Sequence, residues 1–484
     1  MKKQNNSKQQ SERLGVIGLS AIVLSAMLGG GIFDLPKNMA VCAGPLGTIL
    51  AWGIAGIGMW FVTAMFLKLA ELKPNLTTGL YKYGEAGFGK FAGFFVSWGY
   101  WVCESFSNVA YAILLMSTLN YFFPGDFTGG NNWAAVIGGS IVLWGMSLII
   151  LFGVRQASWV NLVGTIVRLA AVAIFIIAVA AQFRWIRFSA NFTATRSFTA
   201  AMPAMGHLGK QVVLALPATL WAFGGIEGAV VLSDRAKSQQ AVRQATAIGF
   251  FGCLALYMLV SLLPMGMKPY GIIAKLGSPS TAGLLTMALH SPAGRVIMAG
   301  GLLVSVFSCW LTWTMMLMEM PYAAAKDGAF PLIFARESKN HVPVISLFAA
   351  TLLMQVVLLV AHFANNAFQL AYTVVATMTV PPYMISALYL VKLAFRADNY
   401  PGNKGRISAL ITGILAVIYT VMMGLVSGVK YVMIAFVVYA LGIPLFIKAR
   451  HEQSPGEPVF TRGERWFVVA IIIIAVGAIL VYYC

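Results

Sequence analysis

Apolar stretches of about 20 residues, the length that carries an α-helix across a bilayer's hydrocarbon, recur from near the N-terminus to the last residue. A chain of 484 residues with 59% hydrophobic and only 10% charged side chains cannot hide that surface in a water-soluble core, and lipid must cover it. The recurrence excludes a single anchor carrying a soluble domain. Runs bounded by polar or Gly/Pro punctuation predict spans near 14–36, 45–70, 88–123, 133–153, 156–182, 211–232, 243–267, 294–325, 341–363, 365–392, 407–428, 430–448 and 466–483. The polar, basic segment 1–13 is a tail; the apolar run after it lacks a small-residue cleavage site and reads as a first span, not a signal peptide.

Charge orients the chain. With the N-terminus in the cytoplasm, 23 of the 33 Lys and Arg fall on the inner side, nine fall outside and Arg168 falls within a span, as the positive-inside rule requires. An outer loop with Arg184, Arg187 and Arg196 runs against the rule. The net charge of +18 is thereby assigned to orientation and acidic lipid headgroups, with no nucleic-acid partner. Cys42, Cys103, Cys253, Cys309 and Cys484 have no paired spacing, so neither a disulfide framework nor a metal site is implied, and no cofactor is expected.

The tripeptide Gly-Gly-Ile occurs at Gly30-Gly31-Ile32 in the first span and at Gly224-Gly225-Ile226 in the sixth. The two helices are five spans apart and cross in opposite directions, the arrangement of an inverted five-helix repeat in which each broken helix opens its half. Close helix packing is the other use of such glycines. In the broken-helix reading, N–H groups exposed at a half-helix N-terminus suit a carboxylate and freed carbonyls suit an ammonium group, so backbone alone can hold an amino acid's common end.

Three segments carry a resemblance: Gly-Gly-Gly-Ile-Phe-Asp-Leu-Pro in the first span, Leu-Trp-Ala-Phe-Gly-Gly-Ile-Glu-Gly-Ala at 220–229, and Tyr-Ala-Ala-Ala-Lys-Asp-Gly-Ala-Phe-Pro at 322–331. Over nearly its whole length the chain resembles the basic amino acid/polyamine antiporters of the amino acid-polyamine-organocation superfamily. It looks most like their arginine:ornithine exchangers, through Ser-Trp-Gly-Tyr-Trp (97–101) and Glu-Gly-Ala-Val-Val (227–231). The resemblance implies an all-α polytopic membrane protein of leucine-transporter type, a 5+5 inverted repeat with helices 1 and 6 broken and 12–13 transmembrane helices in all. Its parts would be the tail 1–13, a first repeat 14–182, an extracytoplasmic loop 183–210, a second repeat 211–392 and additional helices 393–484. It further implies sodium-independent exchange of a cationic amino acid for its metabolic product, ornithine or agmatine, across the bacterial cytoplasmic (inner) membrane. The implied partners are amino acid and amine substrates and lipid, with a homodimer as a possible assembly.

The resemblance also implies a site. Gly29, Gly30 and Gly31, with their neighbours Met27, Leu28 and Ile32, match the unwound first helix that binds the carboxylate. Trp221, Ala222 and Gly224, with Gly225 and Ile226, match the unwound sixth helix that binds the α-amine. Trp313 and Asn108 match groups near the substrate side chain, and Tyr100, Glu227 and Tyr383 match a gate whose glutamate is proton-sensitive. Two residues depart from the pattern: Glu104 where a small residue is usual, and Val375 where a serine contacts arginine.

Charges inside a span cost about 2.5 to 3.5 kcal/mol each even on the lenient insertion scale, and need a reason. Glu104 has Tyr100 and Asn108 at four-residue intervals, which places all three on one helix face. It reads as a carboxylate for a cationic side chain, or as a hydrogen-bonding group between helices. Glu227 reads as a gate or as a cap on freed N–H groups, and Glu319 as the partner of a basic residue at the inner face. Arg168 reads as a permanent cation where sodium-coupled members of the fold bind an ion, or as a side chain snorkelling to an interface. Trp221 and Trp313 can sandwich an aliphatic stem or guanidinium, or simply pack. Exchange of histidine for histamine or lysine for cadaverine, and proton-coupled symport, remain open on these residues. An enzyme is disfavoured by the lack of HExxH, GxSxG or paired carboxylates, and a channel by the lack of a filter repeat.

Overall fold

The computed structural model describes residues 16–76, 80–152, 155–226, 238–400 and 403–483. These residues are helical almost throughout, and bridging is limited among them to two isolated pairs. The first half holds α1 (Val16–Met27), a 3-10 turn at Gly30–Phe33, α2 (Leu35–Cys42), α3 (Pro45–Leu72), α4 (Leu80–Phe88), α5 (Lys90–Leu119), α6 (Trp133–Phe152) and α7 (Arg155–Ala181). After α8 (Trp185–Ser189) come α9 (Leu208–Ala222), α10 (Gln239–Met267), α11 (Tyr270–Ile273), α12 (Ser280–Leu289), α13 (Ala293–Lys326), α14 (Val344–His362) and α15 (Ala367–Phe395). The chain ends with α16 (Arg406–Ser427), α17 (Val429–Gln453) and α18 (Arg462–Tyr483).

Eleven of these helices are long and apolar enough to cross a membrane. The first and sixth of the thirteen expected spans are the exceptions, because each stops at its glycine cluster: α1 ends at Met27 and α9 at Ala222. Packing repeats between the halves. α1 lies on α10 as α9 lies on α3, and α5 on α15 as α13 on α7, so exchanging the two sets of five helices maps neighbours onto neighbours.

The C-terminal helices are tied to this core by close fits. A Cβ on Gly99 of α5 would fall 2.1 Å from the Tyr439 ring of α17, so glycine is what admits that ring. At the start of α18 the buried Glu464 accepts the Thr461 N–H at 2.8 Å with one carboxylate oxygen and the Phe91 N–H of α5 at 2.8 Å with the other. One side chain thus caps two helix starts, which need partners for their leading N–H groups.

At the other end of α13, Lys82 of α4 pairs with Asp327 at 3.0 Å and with Glu85 at 3.0 Å. The exposed Glu337 nearby accepts from Tyr322, His341 and Lys326, and these bonds hold its carboxyl down to about 2. Lys326, the basic residue closing α13, is therefore engaged by Glu337 at 3.2 Å, and the expected pairing of Glu319 with a basic residue is not among the ion pairs of the described residues.

Candidate functional site

The two helix breaks face each other. After Met27 the chain runs extended through Gly29 and re-enters a helical turn at Gly30–Phe33, whose leading N–H groups lack intrahelical acceptors. On the other side α9 closes with the Phe223 N–H bonding back to Leu220 and Thr219, and Gly225 adopts φ +93, a left-handed conformation that favours glycine. The hydroxyl of Tyr257, on α10, lies 2.7 Å from the Met27 carbonyl and 2.7 Å from the Ala222 carbonyl. One tyrosine therefore spans the carbonyl ends of both broken helices, held by stacking on Trp52 at 5.4 Å.

The breaks open onto a cavity lined by Met27, Gly29, Gly31, Ile32, Trp221, Ala222, Gly224 and Gly225. Glu104, Ser107 and Tyr111 enter it from α5, Trp313 from α13, and Val375, Ala376, Thr379 and Tyr383 from α15. It is narrow, with a volume of about 30 Å³. That admits water and is less than an amino acid needs. Trp221 closes one side, edge-on to Phe368 at 5.5 Å and tilted on Tyr372 at 6.3 Å.

Several expected residues stand elsewhere. Asn108 is fully buried and does not line the cavity; its amide donates to the Glu104 carbonyl at 2.8 Å, one turn back on the same helix. Tyr100 is buried and is not among the residues lining the cavity. Along α5 the cavity takes Glu104, Ser107 and Tyr111, at spacings of three and four residues that keep them on one side of the helix. Leu28, Gly30 and Ile226 are buried in the packing around the breaks; a Cβ on Gly30 would meet Val306 at 2.5 Å. Glu227 lies outside the described residues.

Arg168 is 1% exposed on α7, with Nη2 donating to Thr165 at 3.3 Å and no hydrogen-bond partner for Nε or Nη1 among the described residues. Snorkelling is excluded by that burial. Tyr111, on the cavity wall, lies within electrostatic reach of both Glu104 and Arg168. Tyr257 and Tyr111 escaped the sequence reading, Tyr257 because its role depends on two carbonyls more than 30 residues away in sequence. Loss of the Tyr257 hydroxyl in Tyr257→Phe leaves buried carbonyls with one donor fewer, which costs about 1 to 3 kcal/mol. Uptake per reconstituted protein is expected to fall about tenfold, and uptake equal to the parent protein would show that the bridge is dispensable.

Two helices interrupted at facing glycine clusters, with a carboxylate and a tryptophan pair on the cavity between them, are the features of a secondary transporter. The profile of the amino acid permease family matches residues 14–447, and the chain belongs to that family. It is 48% identical over 468 residues to a candidate amino-acid transporter of Clostridium perfringens, covering 96% of this chain and 97% of the relative. It is 44% identical over 484 residues to an arginine/agmatine antiporter of Chlamydia felis, covering 99% of this chain and 98% of that one. A Chlamydia pneumoniae arginine/agmatine antiporter is 42% identical over 477 residues, 98% of each chain. The chain is a multi-pass membrane transporter and not an enzyme.

Proposed function

We propose that this protein exchanges arginine for agmatine by alternating access, without sodium. The observation that carries the reading is that Glu104 shares one cavity with the backbone of Gly29, Gly31, Ala222, Gly224 and Gly225. An amino acid's carboxylate and amine can be held by backbone at one end while a carboxylate takes the cationic side chain at the other. Trp221 and Trp313, on the same cavity, offer ring faces to the aliphatic stem or guanidinium. By the resemblance Tyr100, Glu227 and Tyr383 serve as the gate, with Glu227 as its proton-sensitive member.

The product side of the pair follows the printed names of the Chlamydia relatives, arginine/agmatine antiporters. Val375 lines the cavity where the resembled arginine-agmatine exchanger has a serine, so that position offers no hydroxyl and Glu104 is the charged group left for the side chain. Sodium independence rests on Arg168, a buried permanent cation on α7 beside α13. An arginine does not release its proton in a protein, so it fills a cation site in every state of the cycle. The positive-inside count favours a cytoplasmic N-terminus in the bacterial cytoplasmic membrane.

Proteoliposomes loaded with agmatine are expected to accumulate labelled arginine at zero sodium, and empty ones are not. Competition by unlabelled ornithine, histidine, histamine, lysine and cadaverine ranks the other pairs in the same assay. Uptake that demands sodium or ignores internal agmatine would refute the exchange proposed here.

A further inference from the structure

A second cavity of about 430 Å³ lies on the α2 side of the first break, lined by polar groups. Lys37 of α2 faces Ser117 and Asn120 at the end of α5, Tyr121, Ser278, and Asn365 and Asn366 ahead of α15. Lys37 is the one charged side chain in this lining; it makes no ion pair within 4.0 Å among the described residues, with Asp34 in electrostatic reach behind it. The nearby carboxylate, Asp34, is buried and committed: Oδ1 accepts the Ser280 N–H at 2.8 Å and Oδ2 the Ser278 hydroxyl at 2.5 Å, holding the start of α12. The cavity adjoins the central site across a thin aromatic partition. Phe368 lines the outer space and packs edge-on against Trp221, which lines the inner one.

We infer that this outer cavity is a capture site for the α-carboxylate of the incoming amino acid, with Lys37 as its cation. The inference rests on the exchange proposed above, in which α2 lies toward the outside. Amino acid and decarboxylated amine differ there in one decisive way. The amino acid brings a carboxylate for the ammonium of Lys37, while the amine brings only positive charge and is repelled. The cavity volume falls in the range of small-molecule sites, and the side-chain amides of Asn120 and Asn365 line it beside Lys37 as further donors. A cavity of this kind loads the amino acid and hastens release of the amine, giving an otherwise reversible exchange a preferred substrate on its outer face.

The test compares external half-saturation for labelled arginine and labelled agmatine in cells carrying the parent protein, Lys37→Gln, Lys37→Arg and Asn365→Asp. Lys37→Gln is expected to raise the arginine value about fivefold, the equivalent of about 1 kcal/mol for a solvated charge pair, and to leave the agmatine value unchanged or lower. Lys37→Arg should restore the parent ratio. Asn365→Asp, which adds a carboxylate to the same cavity, should shift both substrates in the sense of Lys37→Gln and keeps the test decisive if Lys37→Gln is not inserted. Equal changes for both substrates, or none in any variant, would overturn the capture site. Failure of the parent protein to exchange arginine would instead count against the proposed substrate pair, and the comparison is then made with the transported amino acid and its own amine.

Discussion

Glu104→Gln is expected to weaken arginine binding about 10- to 100-fold, the range for losing a charged partner of a hydrogen bond, while neutral amino acids bind as before. The side chain is 7% exposed on α5 and reaches the cavity from the wall that also carries Ser107 and Tyr111. A carboxylate at this depth is costly to insert, and a cationic ligand offsets that cost when it binds. Glutamine keeps the volume and one acceptor oxygen but not the charge, so the substitution separates charge recognition from packing. Binding of labelled arginine and of an uncharged analogue to purified protein gives the two constants. Equal loss for both would make Glu104 a structural group between helices.

Gly31→Ala is expected to give a protein that inserts and folds yet binds substrate about 10- to 100-fold more weakly, the scale of an overpacking penalty of 1 to 3 kcal/mol. A Cβ at this position would lie 1.8 Å from Cζ3 and 2.2 Å from Cη2 of Trp221. The ring cannot simply yield, because Phe368 and Tyr372 hold its other faces. Gly31 does not take a left-handed backbone, so the substitution adds bulk without dihedral strain. Trp221 must leave its place at the cavity wall, and the N–H groups of the broken helix shift with it. Shortening the obstacle should compensate: Trp221→Leu in the Gly31→Ala background is expected to regain stability, measured by thermal unfolding in detergent, without regaining full affinity. A double variant no more stable than Gly31→Ala would remove the steric explanation.

Much of the architecture was legible in the residues because its signals are local. Length and hydropathy mark the spans, and glycine clusters mark where two of them stop, at Met27 and Ala222. The intramembrane charges Glu104 and Arg168 declared themselves by their cost. The four-residue pattern around Glu104 marked a face of α5 without saying which of its residues meet the cavity. It describes a face in isolation, whereas the neighbours chosen by packing rotate α5 so that Ser107 and Tyr111 enter the cavity and Asn108 turns back on its own helix.

The sequence by itself determined a polytopic helical protein, its two broken helices and the residues that no lipid-facing surface would tolerate. Each of these follows from the chemistry of a short segment in a low-dielectric solvent. Only the tertiary structure decided which groups meet: Tyr257 across both breaks, Trp221 against Gly31, and Lys37 in a second cavity separated from the central one by Phe368. The physical reason is that a helix's rotation and tilt are set by the helices packed against it, which come from distant parts of the chain.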